Sequence, residues 1–160
     1  MKAELQSLLE QCIQESSEEG LEILNQLLTG YLDKNLHSGS YVGRILHMEK
    51  KILNETECEV TIPVNGLVHN QLEIVHGGVT ATLLDSAMGS LAMQCAPPDH
   101  GVVTSNLNIH YVAPGIGNSL TAKASLIHKG SKTMVVEGTV YREDGKKVAH
   151  ATGTFFIVKA

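Results

Sequence analysis

A single carboxylate, Asp85, lies in a long stretch of the chain that is otherwise uncharged. It is the only Asp, Glu, Lys or Arg between Glu73 and Asp99, and its neighbours are mostly Ala, Leu, Ser, Thr and Gly. Charged residues on helices mostly face water, so one interpretation is an exposed helix edge. The other is a buried carboxylate beside a ligand, where it could act as a general base or a nucleophile.

Nine residues earlier, His76-Gly77-Gly78 stands where a loop turns into a predicted helix. Backbone N–H groups at such a position have no acceptor within the helix and carry the positive end of its dipole. They suit an oxyanion or a polarised carbonyl, and glycine lets a ligand approach the backbone closely. On its own, however, the triplet is more often an ordinary helix entry turn.

The spacing between these two features adds a constraint. Asp85 follows Gly77 by eight residues, so along one helix they are about 12 Å apart at roughly 1.5 Å per residue. A base must come within roughly 3 Å of the group it serves, or act through one water. If both residues act together, Asp85 must therefore face the helix start of a second chain, as in a two-fold dimer with antiparallel central helices.

The elements that would position these residues can be predicted from periodicity. Apolar residues recur at three- and four-residue steps in residues 3–34, which predicts one or two amphipathic helices with a break at 16–20. Residues 39–54 and 56–62 alternate imperfectly and predict two strands joined near Asn54. A helix should begin near Val79 and end near Cys95, because Pro97-Pro98 cannot continue it.

The remainder of the chain predicts four strands, at 102–112, 119–128, 132–141 and 147–158. Asp144-Gly145 stands between the last two and is a strong hairpin signal. One long helix rich in small residues can lie against a strongly curved antiparallel sheet, which is an α+β architecture. We divide the chain into an acidic helical extension, 1–38, and one domain, 39–160.

Composition excludes several classes of protein. Residues 1–38 hold two basic and seven acidic residues, which account for the whole net charge of −5, and such an arm is a poor ligand for nucleic acid. The three cysteines and eight histidines show no metal-ligand spacing, so no metal is expected. The sequence shows neither a signal peptide nor a membrane span. A soluble, cytoplasmic protein is therefore expected.

The polar residues as a set resemble a known family. Asn70, then His76-Gly77-Gly78 six residues on, then Asp85 closely resemble the motif of the hotdog-fold acyl-CoA thioesterases of the phenylacetate-pathway, or PaaI-like, group. The resemblance covers roughly residues 39–158, and the acidic extension is not part of the family core. It implies a hotdog fold, in which the sheet wraps around the central helix and active sites lie at a dimer interface.

The resemblance also implies a role for each matching residue. Asp85 would act as the nucleophile or as the general base for water, and the backbone N–H of Gly77 would polarise the thioester carbonyl. His76 would support the loop and contact substrate, while Asn70 would orient water or the carbonyl. Thr104 matches a hydroxyl position that holds the nucleophilic water near the carboxylate. Thioester hydrolysis needs both an activated water and a stabilised oxyanion, so it requires a carboxylate and a backbone donor together.

Two lysines, Lys129 and Lys132, could meet the phosphates of coenzyme A. The competing interpretation, a charged hairpin at a sheet edge, is favoured by base rates. No separate cofactor is expected, since coenzyme A would be part of the substrate.

The leading hypothesis is hydrolysis of acyl-CoA thioesters to free acid and CoA by a homodimer or a dimer-of-dimers tetramer. One alternative is a hotdog hydratase or dehydratase acting on acyl thioesters. Another is a non-catalytic acyl-CoA-binding module. The sequence does not predict the preferred acyl chain, because helix and strand residues assemble the pocket in a way that depends on the dimer.

Overall fold

The structure, a computed structural model, describes residues 1–36 and 39–159. Those residues form two compact units: Met1–His47 together with Asn65–Leu67, and residues 48–64 together with those from 68 onward. The predicted division into 1–38 and 39–160 has its boundary between residues 38 and 39, and residue 38 lies outside the described residues. That division stays a prediction.

The N-terminal unit is helical. Where the sequence predicts one or two amphipathic helices, the structure has two, helix α1 (Lys2–Glu15) and helix α2 (Glu18–Leu36). They are separated where the Ser17 hydroxyl accepts a hydrogen bond from the Gly20 N–H at 3.2 Å. Such N-terminal capping by a serine satisfies a backbone donor that the helix itself leaves unpaired.

The strand predicted from residue 39 is wrong over its first half. Helix α3 (Tyr41–Ile45) forms there because the Ser40 hydroxyl accepts a hydrogen bond from the Gly43 N–H at 3.1 Å and caps the turn. The helix packs against α2 at Gly30, where an added Cβ would lie 2.5 Å from the Arg44 carbonyl oxygen. Long-range packing therefore selected a helix over the weak strand pattern.

The second unit contains one long helix and all of the strands. Helix α4 spans Gly77–Cys95 and begins two residues before the predicted start. The strands are β1 (Glu49–Asn54), β2 (Glu57–Pro63), β3 (His100–Tyr111), β4 (Ser119–Lys129), β5 (Thr133–Arg142) and β6 (Lys147–Lys159). A short 3-10 helix spans Gly66–Val68. In the described ranges, no helix has both the length and the apolar content to cross a membrane.

The six strands form one antiparallel sheet in the order β1-β2-β4-β5-β6-β3. The β5–β6 hairpin turns at Asp144-Gly145, as predicted, and Gly145 has a φ of +81°, a conformation that costs glycine little. The two sheet edges are therefore β1, which is short, and β3, which is twice as long.

The core lies between this sheet and α4. Alternate residues of β2, β4, β5 and β6 are buried, and they face a buried stripe of α4, Leu83, Leu84, Ala87, Met88, Leu91 and Ala92. At Gly138 an added Cβ would lie 3.0 Å from Leu84 and 3.1 Å from Met88, so the absence of a side chain lets the helix approach the sheet closely. Each large buried aliphatic side chain contributes about 1.5–3 kcal/mol through the hydrophobic effect.

A bulge in β3 decides which of its side chains face the helix. Thr104 pairs with buried Phe155 of β6, but the next pair in register is Asn106 with Thr154, so Ser105 is an extra residue. Without a bulge, side chains alternate between faces with a period of two. The extra residue shifts this alternation, and Tyr111 therefore lies on the same inner face as Thr104, opposite buried Ala149.

Cys58 provides a test of this core. It is buried on β2, its thiol donates to the Ala87 carbonyl of α4 at 3.2 Å, and burial raises the pKa of the thiol. Because the thiolate is the reactive form, we expect iodoacetamide at neutral pH to label half-buried Cys12 and Cys95 well before Cys58. Mass spectrometry of peptides after timed labelling measures this order. Equal labelling rates in the native protein would contradict the packing of α4 on β2.

Candidate functional site

Asp85 lies in a cleft that the sheet leaves open over helix α4. The cleft has a volume of about 360 Å³, and both sheet edges contribute to it, β1 through Lys50 and β3 through Val102 and Thr104. The Thr104 hydroxyl donates to Asp85 Oδ1 at 2.8 Å. In a single chain Asp85 is half-buried, between the exposed helix edge and the buried carboxylate of the two interpretations, because no strand among the described residues covers this face of α4.

Small residues of α4 form the floor of this cleft. Ser86, Gly89 and Ser90 follow Asp85 on the same helix face, and Met93 lies one turn further on. An added Cβ at Gly89 would lie 3.5 Å from the Phe155 ring, which is ordinary contact. The cleft thus combines a carboxylate, hydroxyl groups and the Lys50 side chain with the apolar side chains of Met93, Val102 and Phe155.

The start of α4 forms a second cleft, of about 310 Å³, lined by Asn70 and Gly77 among mostly apolar residues. His76 caps the helix, and its Nδ1 accepts a hydrogen bond from the Gly78 N–H at 2.9 Å. Among the residues that the structure describes, none accepts a hydrogen bond from the Gly77 N–H. This cleft therefore offers a backbone donor at the positive end of the helix dipole.

Asn70 holds the loop before the helix. Its side-chain oxygen accepts from the Leu72 N–H at 2.8 Å, and its own N–H donates to the Ile74 carbonyl at 2.8 Å. Its side-chain NH₂ has no acceptor within the described ranges, so it is available to donate into the cleft. Glu73 in the same loop adopts a positive φ of +55°, which marks a tightly folded segment.

The five predicted site residues therefore fall into two groups. The structure brings Asp85 together with Thr104, and it brings Asn70 together with Gly77 and the neighbouring His76. Asp85 and Thr104 line one cleft of the chain, and Asn70 and Gly77 line the other. Their catalytic roles stay predictions.

Other residues at these clefts were missed by sequence reasoning. Lys50 and Ser86 line the Asp85 cleft, and the Tyr111 hydroxyl donates to the Gly77 carbonyl at 2.9 Å. Lys50 gives no sequence signal, because it stands in a strand of mixed pattern. In an unbulged strand the side chains of Thr104 and Tyr111 would point to opposite faces of the sheet, because their separation is an odd number of residues. That both lie on the inner face could therefore not be predicted.

The two lysines proposed to bind phosphate lie elsewhere. Lys129 ends β4 and Lys132 stands in the turn before β5, and neither contributes to the two clefts. In the described part of the chain, no group of three or more His, Cys, Asp or Glu side chains is arranged to hold a metal ion. The contribution of Lys129 and Lys132 to CoA binding stays a prediction.

Comparison with known proteins places this geometry in a family. The model of the thioesterase superfamily matches residues 72–149, which include the start of α4, Asp85 and Thr104. A Bacillus halodurans protein whose crystal structure was solved with CoA is 40% identical, covers 95% of this chain and 99% of its own length, and superposes with a TM-score of 0.87. The chain belongs to the thioesterase superfamily. The predicted hotdog thioesterase family and fold class are thereby confirmed.

Two further relatives define how far the likeness extends. A medium/long-chain acyl-CoA thioesterase of Salmonella typhimurium is 32% identical over 97 residues, which cover 52% of this chain and 63% of that protein. This chain thus spans just under two thirds of that relative. The Escherichia coli PaaI protein, from the phenylacetic acid degradation operon, is 21% identical over 84% of this chain and 94% of its own, with a TM-score of 0.70. At that identity the likeness concerns the fold.

The His76 cap gives a prediction about stability. His76→Ala removes the acceptor of the Gly78 N–H and should lower the free energy of unfolding by about 1 kcal/mol, the usual cost of losing an N-terminal cap. His76→Asn, which offers another good capping side chain, is the matched control and should lose much less. Urea unfolding followed by circular dichroism measures both. Equal losses in the two variants would mean that the cap hydrogen bond does not hold the helix start.

Proposed function

We propose that this protein hydrolyses acyl-CoA thioesters to the free acid and CoA, at sites that two chains share. The observation that carries the proposal is that the Asp85 carboxylate and the Gly77 N–H lie at different clefts along one helix. The Gly77 N–H can stabilise an oxyanion, and Asp85 can activate water or attack the thioester. Eight helical residues separate them by about 12 Å, too far for both to act on one carbonyl carbon.

A two-fold dimer resolves this separation. If the central helices of two chains run antiparallel, the start of one lies beside Asp85 of the other, and each dimer has two equivalent sites. The open face of α4 would then be covered by the partner, which supplies the burial that a single chain lacks. Water around the carboxylate would be reduced to the molecules that Asp85 and Thr104 hold.

The two sheet edges support β3 as the strand that joins the chains. An exposed edge strand offers unpaired backbone groups to a second copy, and charged residues discourage such pairing. Edge strand β1 contains Glu49, Lys50 and Lys51, whereas β3 is longer and contains no Asp, Glu, Lys or Arg. If two chains pair through β3, Thr104 and the Asp85 carboxylate that it contacts would both lie near the two-fold axis.

The reaction then follows from the groups present. The thioester oxygen would accept a hydrogen bond from the Gly77 N–H of one chain, and the Asn70 NH₂ would orient the carbonyl or the water. Asp85 of the other chain, held by the Thr104 hydroxyl, would take a proton from water or attack directly. If water attacks, the tetrahedral intermediate would expel the CoA thiolate, which takes the proton from Asp85, and leave the free acid. If Asp85 attacks, expulsion of the thiolate would leave an acyl-aspartyl anhydride, which water would then hydrolyse to the free acid and the regenerated carboxylate. The CoA bound to the Bacillus halodurans relative and the name of the Salmonella relative support acyl-CoA as the substrate class.

The role of Asp85 is tested by Asp85→Asn. We expect kcat to fall by about 100-fold or more, because loss of a general base typically costs 10²–10⁴. Asp99→Asn makes the same chemical change in an exposed turn and is the control. Release of free CoA thiol from a panel of aliphatic and aromatic acyl-CoA esters measures both variants.

The same assay separates the alternatives. Undiminished turnover by Asp85→Asn would remove the carboxylate from the mechanism. Enoyl formation without thiol release would identify a hydratase or dehydratase, and binding without any turnover would identify a binding module.

The shared site is tested by complementation between two inactive chains. Gly77→Pro deletes the candidate oxyanion donor at the first helical position, where proline is tolerated. The ψ of 134° at His76 already suits a residue before proline. Gly77→Ala keeps the N–H, its Cβ would lie 3.7 Å from the Tyr111 ring, and it should remain active. Gly77→Pro alone should lose about 100-fold or more in kcat.

Mixed dimers of Asp85→Asn and Gly77→Pro chains, purified through two different tags, contain one site with both groups intact. They should recover about half of the wild-type activity per dimer, because two-fold symmetry gives two sites and one is restored. Mixed dimers no more active than their parents would contradict a site built from two chains.

A further inference from the structure

Edge strand β3 contacts both halves of the site through hydroxyl groups. Thr104 donates to Asp85 Oδ1 at 2.8 Å, and Tyr111 donates to the Gly77 carbonyl at 2.9 Å. The bulge at Ser105 places both side chains on the inner face of the sheet. The contact at Gly77 involves the residue whose N–H is the candidate oxyanion donor.

The ring of Tyr111 also packs on this residue. Its Cε1 and Cζ atoms and the hydroxyl oxygen lie 3.7–3.8 Å from the position that a Cβ at Gly77 would occupy, and Tyr111 lines the cleft that contains Asn70 and Gly77. Gly77 is the first residue of α4 and has no side chain of its own to anchor it. Its peptide groups are therefore restrained chiefly by what contacts the backbone, and the Tyr111 hydroxyl is such a contact.

We propose that Tyr111 is a positioning residue for the oxyanion site: its hydroxyl holds the Gly77 carbonyl so that the N–H of the same residue stays aimed at the thioester oxygen. The inference rests on the proposed hydrolysis. The hydroxyl acts through Gly77 and makes no bond to the reacting atoms, whereas the ring forms a wall of the cleft. These two functions can be separated, because phenylalanine keeps the wall and loses the donor.

The test is Tyr111→Phe, with Tyr141→Phe as the matched control. The Tyr141 hydroxyl on β5 donates no hydrogen bond within the described residues, and Tyr141 contributes to neither cleft of the site. We expect the single-turnover rate of acyl-CoA hydrolysis to fall about tenfold in Tyr111→Phe, since small displacements of a positioned group cost large factors in rate. KM and the unfolding temperature should match those of Tyr141→Phe.

A single-turnover rate equal to that of Tyr141→Phe would overturn the inference and leave the proposed function intact. A rise in KM with a lowered unfolding temperature and an unchanged rate would overturn it as well, since that result describes a structural residue. A wild-type protein with no activity toward any acyl-CoA would instead refute the proposed function.

If Tyr111→Phe does not fold, 3,5-difluorotyrosine at position 111 serves as the second variant, because its phenol ionises at a lower pH and then has no proton to donate. The inference expects activity to be lost as this phenol ionises, and a pH profile identical to that of the wild type would overturn it.

Discussion

The packing of α4 into the sheet is the constraint on which the rest of the structure depends. Five strands of the sheet, all but β1, pack on the helix, and the sheet ends at β1 and β3, so one helix face is left between the two edges. The buried face carries Leu, Met and Ala side chains, and close approach at Gly138 leaves little freedom for the helix to rotate. Asp85 must therefore project into the open cleft, and Gly77 must present its N–H at the other end.

This arrangement separates two requirements that conflict within one chain. A base or nucleophile and an oxyanion donor must converge on one carbonyl, yet a single rigid helix keeps them about 12 Å apart. The proposed association of two chains would remove the conflict without bending the helix. It would also cover the half-buried carboxylate, so the same contact that completes the chemistry would exclude bulk water. Strand β3 is central to this arrangement, because it contacts both groups and is the uncharged edge suited to pairing.

Much of the fold was predictable from the sequence because its signals are local. The helix that ends at Cys95 and the four strands after it are set by period, proline and turn residues, and they agree with the structure to within two residues at their ends. The prediction was wrong at residues 41–45, where capping by Ser40 and packing on Gly30 outweighed a weak alternation. Of the site, the motif Asn70, His76-Gly77 and Asp85 was visible because its spacing along the chain is characteristic of a family.

The sequence by itself determined the chemistry available to this protein: a carboxylate in an uncharged helix, a glycine N–H at the helix start, and the fixed helical rise that keeps them apart. Only the tertiary structure decided which other side chains join them. Lys50 reaches the cleft because β1 is the opposite edge of the sheet, and Tyr111 meets Gly77 because one extra residue at Ser105 reverses the alternation of β3. Strand order and a bulge depend on long-range pairing, and neither leaves a readable period in the sequence.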